Sequence, residues 1–282
     1  MENSIYNKKV RISDNILKFL IYFSALFSVA IVMGIIIYVI YRGGTSVSLD
    51  FLSTVPSAID GTFGILGNII NTLYIIVITL LIATPVGIGA AIYLNEYAKP
   101  GKFVRFIEFT TETLSGIPSI IYGLFGSVFF GVTLAMGFSI ICGCLTLTIM
   151  ILPIIIRSTQ EALKTVPETY RSGALGIGAT KWYMIRTIIL PSSISGIITG
   201  VILSIGRIVG ESAALLFTAG SGYLLPKGLF SHIGTSGGSL TIQMYLSMSK
   251  ADYDNAFAIA FVLICIVLFI NAMTKVLVKR FN

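Results

Sequence analysis

Long uncharged apolar runs alternate along the chain with short basic segments, and the run lengths set the number of elements. A helix rises 1.5 Å per residue and the hydrocarbon core of a bilayer is about 30 Å thick, so about 20 apolar residues make one crossing. On that measure the predicted spans are Leu17–Tyr41, Gly67–Leu94, Gly116–Phe130, Phe138–Ile156, Ser192–Phe217 and Asn255–Thr274. The 44 uncharged residues between Glu112 and Arg157 exceed one crossing and predict a hairpin turning near Gly131–Gly137. The fold class is therefore all-α, a polytopic membrane protein with six transmembrane helices. Lys8, Lys9 and Arg11 precede the first run like the basic start of a signal peptide. That run stays uncharged from residue 19 to 41, longer than a signal peptide's apolar region of about 7–15 residues, so a retained span is expected.

Composition agrees with the pattern: 55% of residues are hydrophobic and 11% charged, where a soluble domain carries about 25% charged residues. The net charge of +7 raises the question of nucleic acid, and the placement of the basic residues answers it. With six spans, fifteen of the nineteen Lys and Arg fall on the side of the termini. Arg42, Lys227 and Lys250 fall on the other, with Arg207 between. That bias places both termini on the cytoplasmic side and makes the charge a topology signal; no nucleic-acid partner is expected. The partner of the spans is membrane lipid. Cys142, Cys144 and Cys265 sit in apolar runs without metal-ligand spacing and read as small buried hydrophobes. No metal or cofactor is expected, and His232, the single histidine, is assigned no role.

Two segments are longer than connectors. The outer one, from about Thr218 to Asp254, is rich in Gly and Ser and contains "LTIQMYLSM", a possible short interfacial helix. The basic one runs from Arg157 to Leu190. There Pro167 and Glu168 predict a helix start and a short helix to Leu175, stopped by Gly176 and Gly178. Thr180 is placed to cap a second helix in which Trp182, Ile185 and Ile189 share a face, and Pro191 then starts the fifth span. Such a pair of helices can lie on the membrane or dock a soluble protein. Small residues at Ser172, Gly173, Ala174 and Gly176 favour close approach by another backbone.

The fifth span carries "RIVGES", Arg207–Ser212, two charges where each costs roughly 2.5–3.5 kcal/mol. Arg207 and Glu211 are four residues apart, and helical spacing extends their face through Gly200, Ser204, Ala214 and Thr218. That small, polar stripe is expected to face protein or a water-filled path rather than lipid. Two roles fit the pair equally on residue chemistry: mutual neutralisation that fixes packing, or a guanidinium fork offered to a passing oxyanion and oriented by Glu211.

The loop pattern resembles the coupling segment of ABC-importer permeases, E-A-A, three residues, G, nine residues, I-x-L-P. Gly178, Ile188, Leu190 and Pro191 fall at those spacings, with Ser172, Gly173 and Ala174 at the E-A-A positions. Ser172 thus stands where the family has glutamate. "GIITGVILSIGRIVGESAALLFTAG", "LSGIPSIIYGLFG" and "NTLYIIVITLLIATPVGIGAAIYLNEY" are similar to the fifth, third and second spans of phosphate ABC-transporter permeases of MetI-like fold, closer to the PstA-type than to the PstC-type subunit. The likeness runs from about residue 67 to the C-terminus. It implies a segment 1–66 holding the first span and an outer loop, and a permease core 67–282 with coupling loop 157–190.

The resemblance further implies a pore shared with a PstC-type permease, docked on a cytoplasmic ATPase dimer and fed with phosphate by an extracytoplasmic phosphate-binding protein. Arg207, Glu211, Ser204 and Thr218 would form the substrate pathway, and Ser172, Gly173, Ala174 and Gly178 the ATPase contact. No enzymatic activity is expected of such a subunit: the sole Gly-Lys pair, Gly101–Lys102, is followed by Phe103 and is no phosphate-binding loop, and no catalytic constellation is present. The competing readings are an ion-gradient-driven anion transporter, the PstC-type partner permease, and a membrane scaffold recruiting a cytoplasmic protein.

Overall fold

A computed structural model describes residues 12–56, 63–226 and 228–279. Lys8, Lys9, Arg11, Lys227 and Arg280, which entered the charge count, lie outside the described residues. The described residues form thirteen helices and no strand. In chain order they are α1 Ile12–Gly44, α2 Leu49–Ser53, α3 Leu66–Ile92, α4 Lys102–Ser115, α5 Ser119–Gly126, α6 Ile140–Lys164, α7 Glu168–Gly176, α8 Lys181–Met184, α9 Leu190–Val209, α10 Ala213–Thr218, α11 Leu229–Ile233, α12 Leu240–Ser249 and α13 Tyr253–Lys279. Wider π turns extend α3 over Tyr93–Tyr97, continue α5 over Ser127–Thr133 and join α8 to α9 over Ile185–Ile189.

Five of these stretches are long and apolar enough to cross a membrane, and α4 with α5 makes a sixth only as a pair bent by 102°. The predicted third span, Gly116–Phe130, falls on the second arm of that pair except for its first three residues. That arm is Ser119–Thr133, while the preceding α4 turns away as an amphipathic helix with no buried residue and with Phe103, Phe106 and Phe109 exposed. The bend falls at Gly116–Pro118, where Pro118 disfavours helix in the residue before it. The chain next turns at Leu134–Ser139, with Ala135 and Gly137 at positive φ, within the predicted hairpin.

α6 is the central post, with 61% of its most apolar window buried, whereas the corresponding window of α1 is wholly exposed. α3 and α9 pack on α6, and α1 touches the rest mainly through α13, where Tyr38 meets Phe257 edge-on and Gly43 lies against the Phe257 carbonyl. Without a hydrophobic drive between helices in lipid, close contact relies on small residues at the crossings. A Cβ on Gly123 would sit 2.8 Å from Ala214 Cα, and one on Gly200 would collide with Ser158. The main core joins Ile75, Leu147, Ile151, Ile155, Ile208, Leu215 and Ile259. A second, separate core at the other side of α6 joins Leu163, Val166, Ala174, Met184, Ile185 and Ile189. It holds the predicted loop helices.

Candidate functional site

Two predicted sites lie at opposite reaches of one element. Lys181–Val209 runs unbroken for 29 residues, about 44 Å at 1.5 Å each, so α8, its π turn and α9 form a single rod. Pro191 does not start the fifth span as predicted; it lies inside it. A proline clashes with the carbonyl four residues earlier, and the π turn just before it widens the helix at that place. The same widening alters the expected face: Ile185 and Ile189 are buried, but Trp182 is 61% exposed and Met184 takes its place in the core.

At the far end of the rod the helix stops within "RIVGES". Gly210 caps α9, and α10 begins at Ala213. The expectation that Arg207 and Glu211 share one helical face is thereby corrected. Glu211 turns inward, is 6% exposed, and its Oε1 accepts the Ala214 N–H at 3.1 Å, so the carboxylate caps α10. Its backbone carbonyl accepts from Thr241 Oγ1 at 2.8 Å, tying the break to the start of α12. Arg207 stays on the exposed side and has no hydrogen-bond or ion-pair partner among the described residues.

The predicted stripe divides accordingly. Gly200, Ser204, Ala214 and Thr218 are buried in the chain's own helix seams, and Ser204 and Thr218 donate to the carbonyls of Gly200 (2.9 Å) and Ala214 (2.7 Å). In this arrangement the hydroxyls of Ser204 and Thr218 are turned to backbone, behind the exposed line of α9. The exposed line on α9 is instead Thr199, Leu203, Gly206, Arg207 and Gly210, rotated by about one residue. Small residues serve helix crossings and pathways alike, so their spacing alone could not separate the two.

The loop site is assembled as spaced. Thr180 Oγ1 accepts the Tyr183 N–H at 3.3 Å, capping α8, and Gly178 makes the corner at φ +84°. On α7, Ser172 and Gly173 face outward with Gly176, and Gly178 is also exposed, while Ala174 points into the second core. Around the small residues stand Tyr170, Leu175, Ile177, Trp182 and Tyr183, all about half exposed or more, with Ile177 at 88%. Exposed aromatic and apolar side chains beside small residues are the residue types from which protein-docking surfaces are built.

Two features carry no sequence motif. Arg171 on α7, its side chain largely buried, meets Glu96 of the α3 π turn at 2.9 Å, with side-chain exposures of 12% and 4%. Its guanidinium also donates to the carbonyls of Leu163 and Val166, each at 2.8 Å, and to Glu168 at 3.2 Å. Hydrogen bonding to Glu96 drives the Arg171 pKa further up, against burial, so the guanidinium stays charged. The only available signal was a glutamate two residues beyond the apolar run of the second span. At the other end, Asn71 donates to the Gly222 carbonyl at 3.1 Å and lies 2.7 Å from His232 Nε2. Asn68 donates to the Gly238 carbonyl at 3.0 Å, and Thr72 accepts from Leu240 N–H. His232, assigned no role, is 4% exposed and helps tie the Gly/Ser segment to α3.

The sequence pattern describing the family "binding-protein-dependent transport system inner membrane component" matches residues 83–282. A probable ABC transporter permease protein of Bacillus subtilis, YqgI, is 41% identical over 191 residues, 68% of this chain and 65% of that protein, so the match spans just under two thirds of the relative. The phosphate transport system permease protein PstA of Haemophilus influenzae is 32% identical over 255 residues, covering 90% of this chain and 89% of the relative. Among solved structures, a chain of a bacterial alginate ABC transporter in complex with its alginate pentasaccharide-bound periplasmic protein superposes with TM-score 0.68 at 18% identity, covering 95% of this chain and 96% of that one.

Proposed function

The chain belongs to the binding-protein-dependent transport system inner-membrane component family, and from that premise we propose that it is a PstA-type permease subunit of an ATP-driven phosphate importer. The observation that carries this reading is the rod Lys181–Val209, which runs from beside the exposed helix α7 to Arg207, an exposed arginine at a helix break with no ion-pair partner among the described residues. The name of the Haemophilus relative supports phosphate as cargo.

In this reading α7 faces the cytoplasm with both termini. Ser172, Gly173 and Gly178 meet a cytoplasmic ATPase dimer, while Ala174 anchors the helix from beneath. The exposed line Thr199–Gly210 meets the pore shared with a PstC-type permease. Arg207 there offers planar donors to an oxyanion that has shed part of its water. Glu211, Ser204 and Thr218 hold the break in place behind it. An extracytoplasmic phosphate-binding protein delivers cargo at the end built from α10, α11 and α12. The arginine makes a relay and not a trap, since one exposed fork leaves the ion partly hydrated.

The test is uptake of radiolabelled phosphate into vesicles holding this chain, its partner permease and the ATPase. Uptake that needs both ATP and the binding protein is expected. Gradient-driven uptake by this chain alone overturns the proposal.

A further inference from the structure

We propose that Arg171 and Glu96 are a positioning pair that makes α7 and the adjoining ends of α3 and α6 one rigid body, so that a push on α7 reaches α3 as well as α9. The inference rests on the importer reading for what does the pushing, and on geometry for the rest. The backbone of α7 lies against α8 and the π turn that follows it, which already ties it to the rod ending at Arg207. Arg171 is the side chain that reaches from α7 to the end of α3, 75 residues earlier in sequence.

Three properties suit the pair to this task. First, Arg171 ties three elements at once: the Glu96 carboxylate on the α3 extension, the Leu163 carbonyl at the end of α6 with the Val166 carbonyl in the link beyond it, and Glu168 on α7 itself. Helix ends leave such carbonyls without intrahelical donors, and a planar fork with five N–H groups can serve several in fixed directions where lysine cannot. Second, Glu96 is where it is because α3 widens into a π turn, with Ala98 N–H bonding Tyr93 O at 2.8 Å. In an unbroken α phase Glu96 would point away from the buried face that runs through Ala83, Gly87 and Ala91. Asn95 Nδ2 donates to its Oε1 at 2.8 Å and holds the carboxylate. Third, the pair borders the second core, where Leu163 of α6, Ala174 of α7, Met184 and Ile185 of the rod and Ile92 of α3 already pack together, so one apolar seam backs the elements that the pair joins.

The alternative is that the pair opens and closes during the cycle, as a switch. Spin labels at Thr169 on α7 and Lys99 beyond α3, both exposed, separate the two in the assembled complex of this chain, its partner permease, ATPase and binding protein. A rigid body predicts the same label distance without nucleotide and with ATP held unhydrolysed. A distance that changes between the two states overturns the proposal. In the same vesicles, Glu96→Gln keeps the shape and one acceptor oxygen but drops the charge and the second acceptor. It is expected to leave ATPase docking and ATP hydrolysis in place while phosphate imported per ATP falls several-fold and the label distance broadens. Glu96→Asp is expected to recover most of the ratio.

The doubly substituted Glu96→Cys/Arg171→Cys chain should be uncoupled, and bridging its thiols with a bis-maleimide should restore coupling, because a rigid body tolerates a covalent tie. Wild-type coupling in Glu96→Gln, or loss of transport on bridging, sinks the idea. If a variant fails to assemble, the wild-type distance measurement still decides. Should the wild-type complex import no phosphate, the importer reading fails, yet the label distance across nucleotide states still judges the pair, since it does not depend on cargo.

Discussion

Arg207 and Glu211 share a tetrapeptide spacing and part company in three dimensions. One carboxylate spends its charge on the first turn of α10, where the helix N-terminus and the Ala214 N–H receive it. One guanidinium faces outward with no partner among the described residues. Ionisable side chains in spans face a water-filled path or a partner rather than lipid, which is the ground for the proposed role of Arg207. Arg207→Gln is therefore expected to reduce phosphate uptake at least about tenfold, the worth of one charge-assisted hydrogen bond, while the complex still purifies intact by size-exclusion chromatography. Loss of assembly would instead assign Arg207 to packing. Glu211→Gln retains a cap acceptor and should assemble normally.

At the scale of elements, the crossings depend on what is missing from glycine. α5 and α10 meet at Gly123, where an added Cβ would stand 2.8 Å from Ala214 Cα and 3.2 Å from its carbonyl oxygen. Those are backbone atoms and cannot step aside. Gly123→Val should cost about 1–3 kcal/mol from overpacking, visible as a lower melting temperature in detergent. An unchanged melting temperature would mean that this crossing is looser than described. The element lengths were legible beforehand: Leu17–Tyr41 and Gly67–Leu94 lie inside α1 and α3 with its π extension, because run length against bilayer thickness is a one-dimensional test. The 102° bend before Ser119 and the passage of the fifth helix through Pro191 were not, because each depends on how neighbours and a π turn receive the chain.

Over the whole molecule, α6 and the rod beside it separate two polar assemblies: the Arg171 cluster at the basic end and the Asn68–Asn71–His232 cluster at the other. The second has a pH signature. His232 is buried beside Asn71, Tyr74 and Thr235, and burial holds its pKa below the ordinary value by disfavouring the imidazolium. The unfolded chain then takes up its proton first, near pH 6.5, so stability from this group is held above that pH and drains as pH falls through it. Melting in detergent at pH 7.5 and 5.5 should show an acid-induced drop that His232→Gln reduces; equal drops would remove His232 as its source.

What the sequence determined by itself is whatever depends on order along the chain: the number and length of apolar runs, the bias of basic residues, and the caps at Thr180 and Gly178. Each follows from helix rise, bilayer thickness or local backbone geometry, which need no distant partner. Tertiary structure decided which side of a small-residue stripe is packed and which is open, that Glu211 turns in and Arg207 out, and that Arg171 finds Glu96 across 75 residues. Those outcomes depend on which surfaces the helices leave uncovered when they pack, and on where a π turn rotates a side chain. Neither is written in spacing alone.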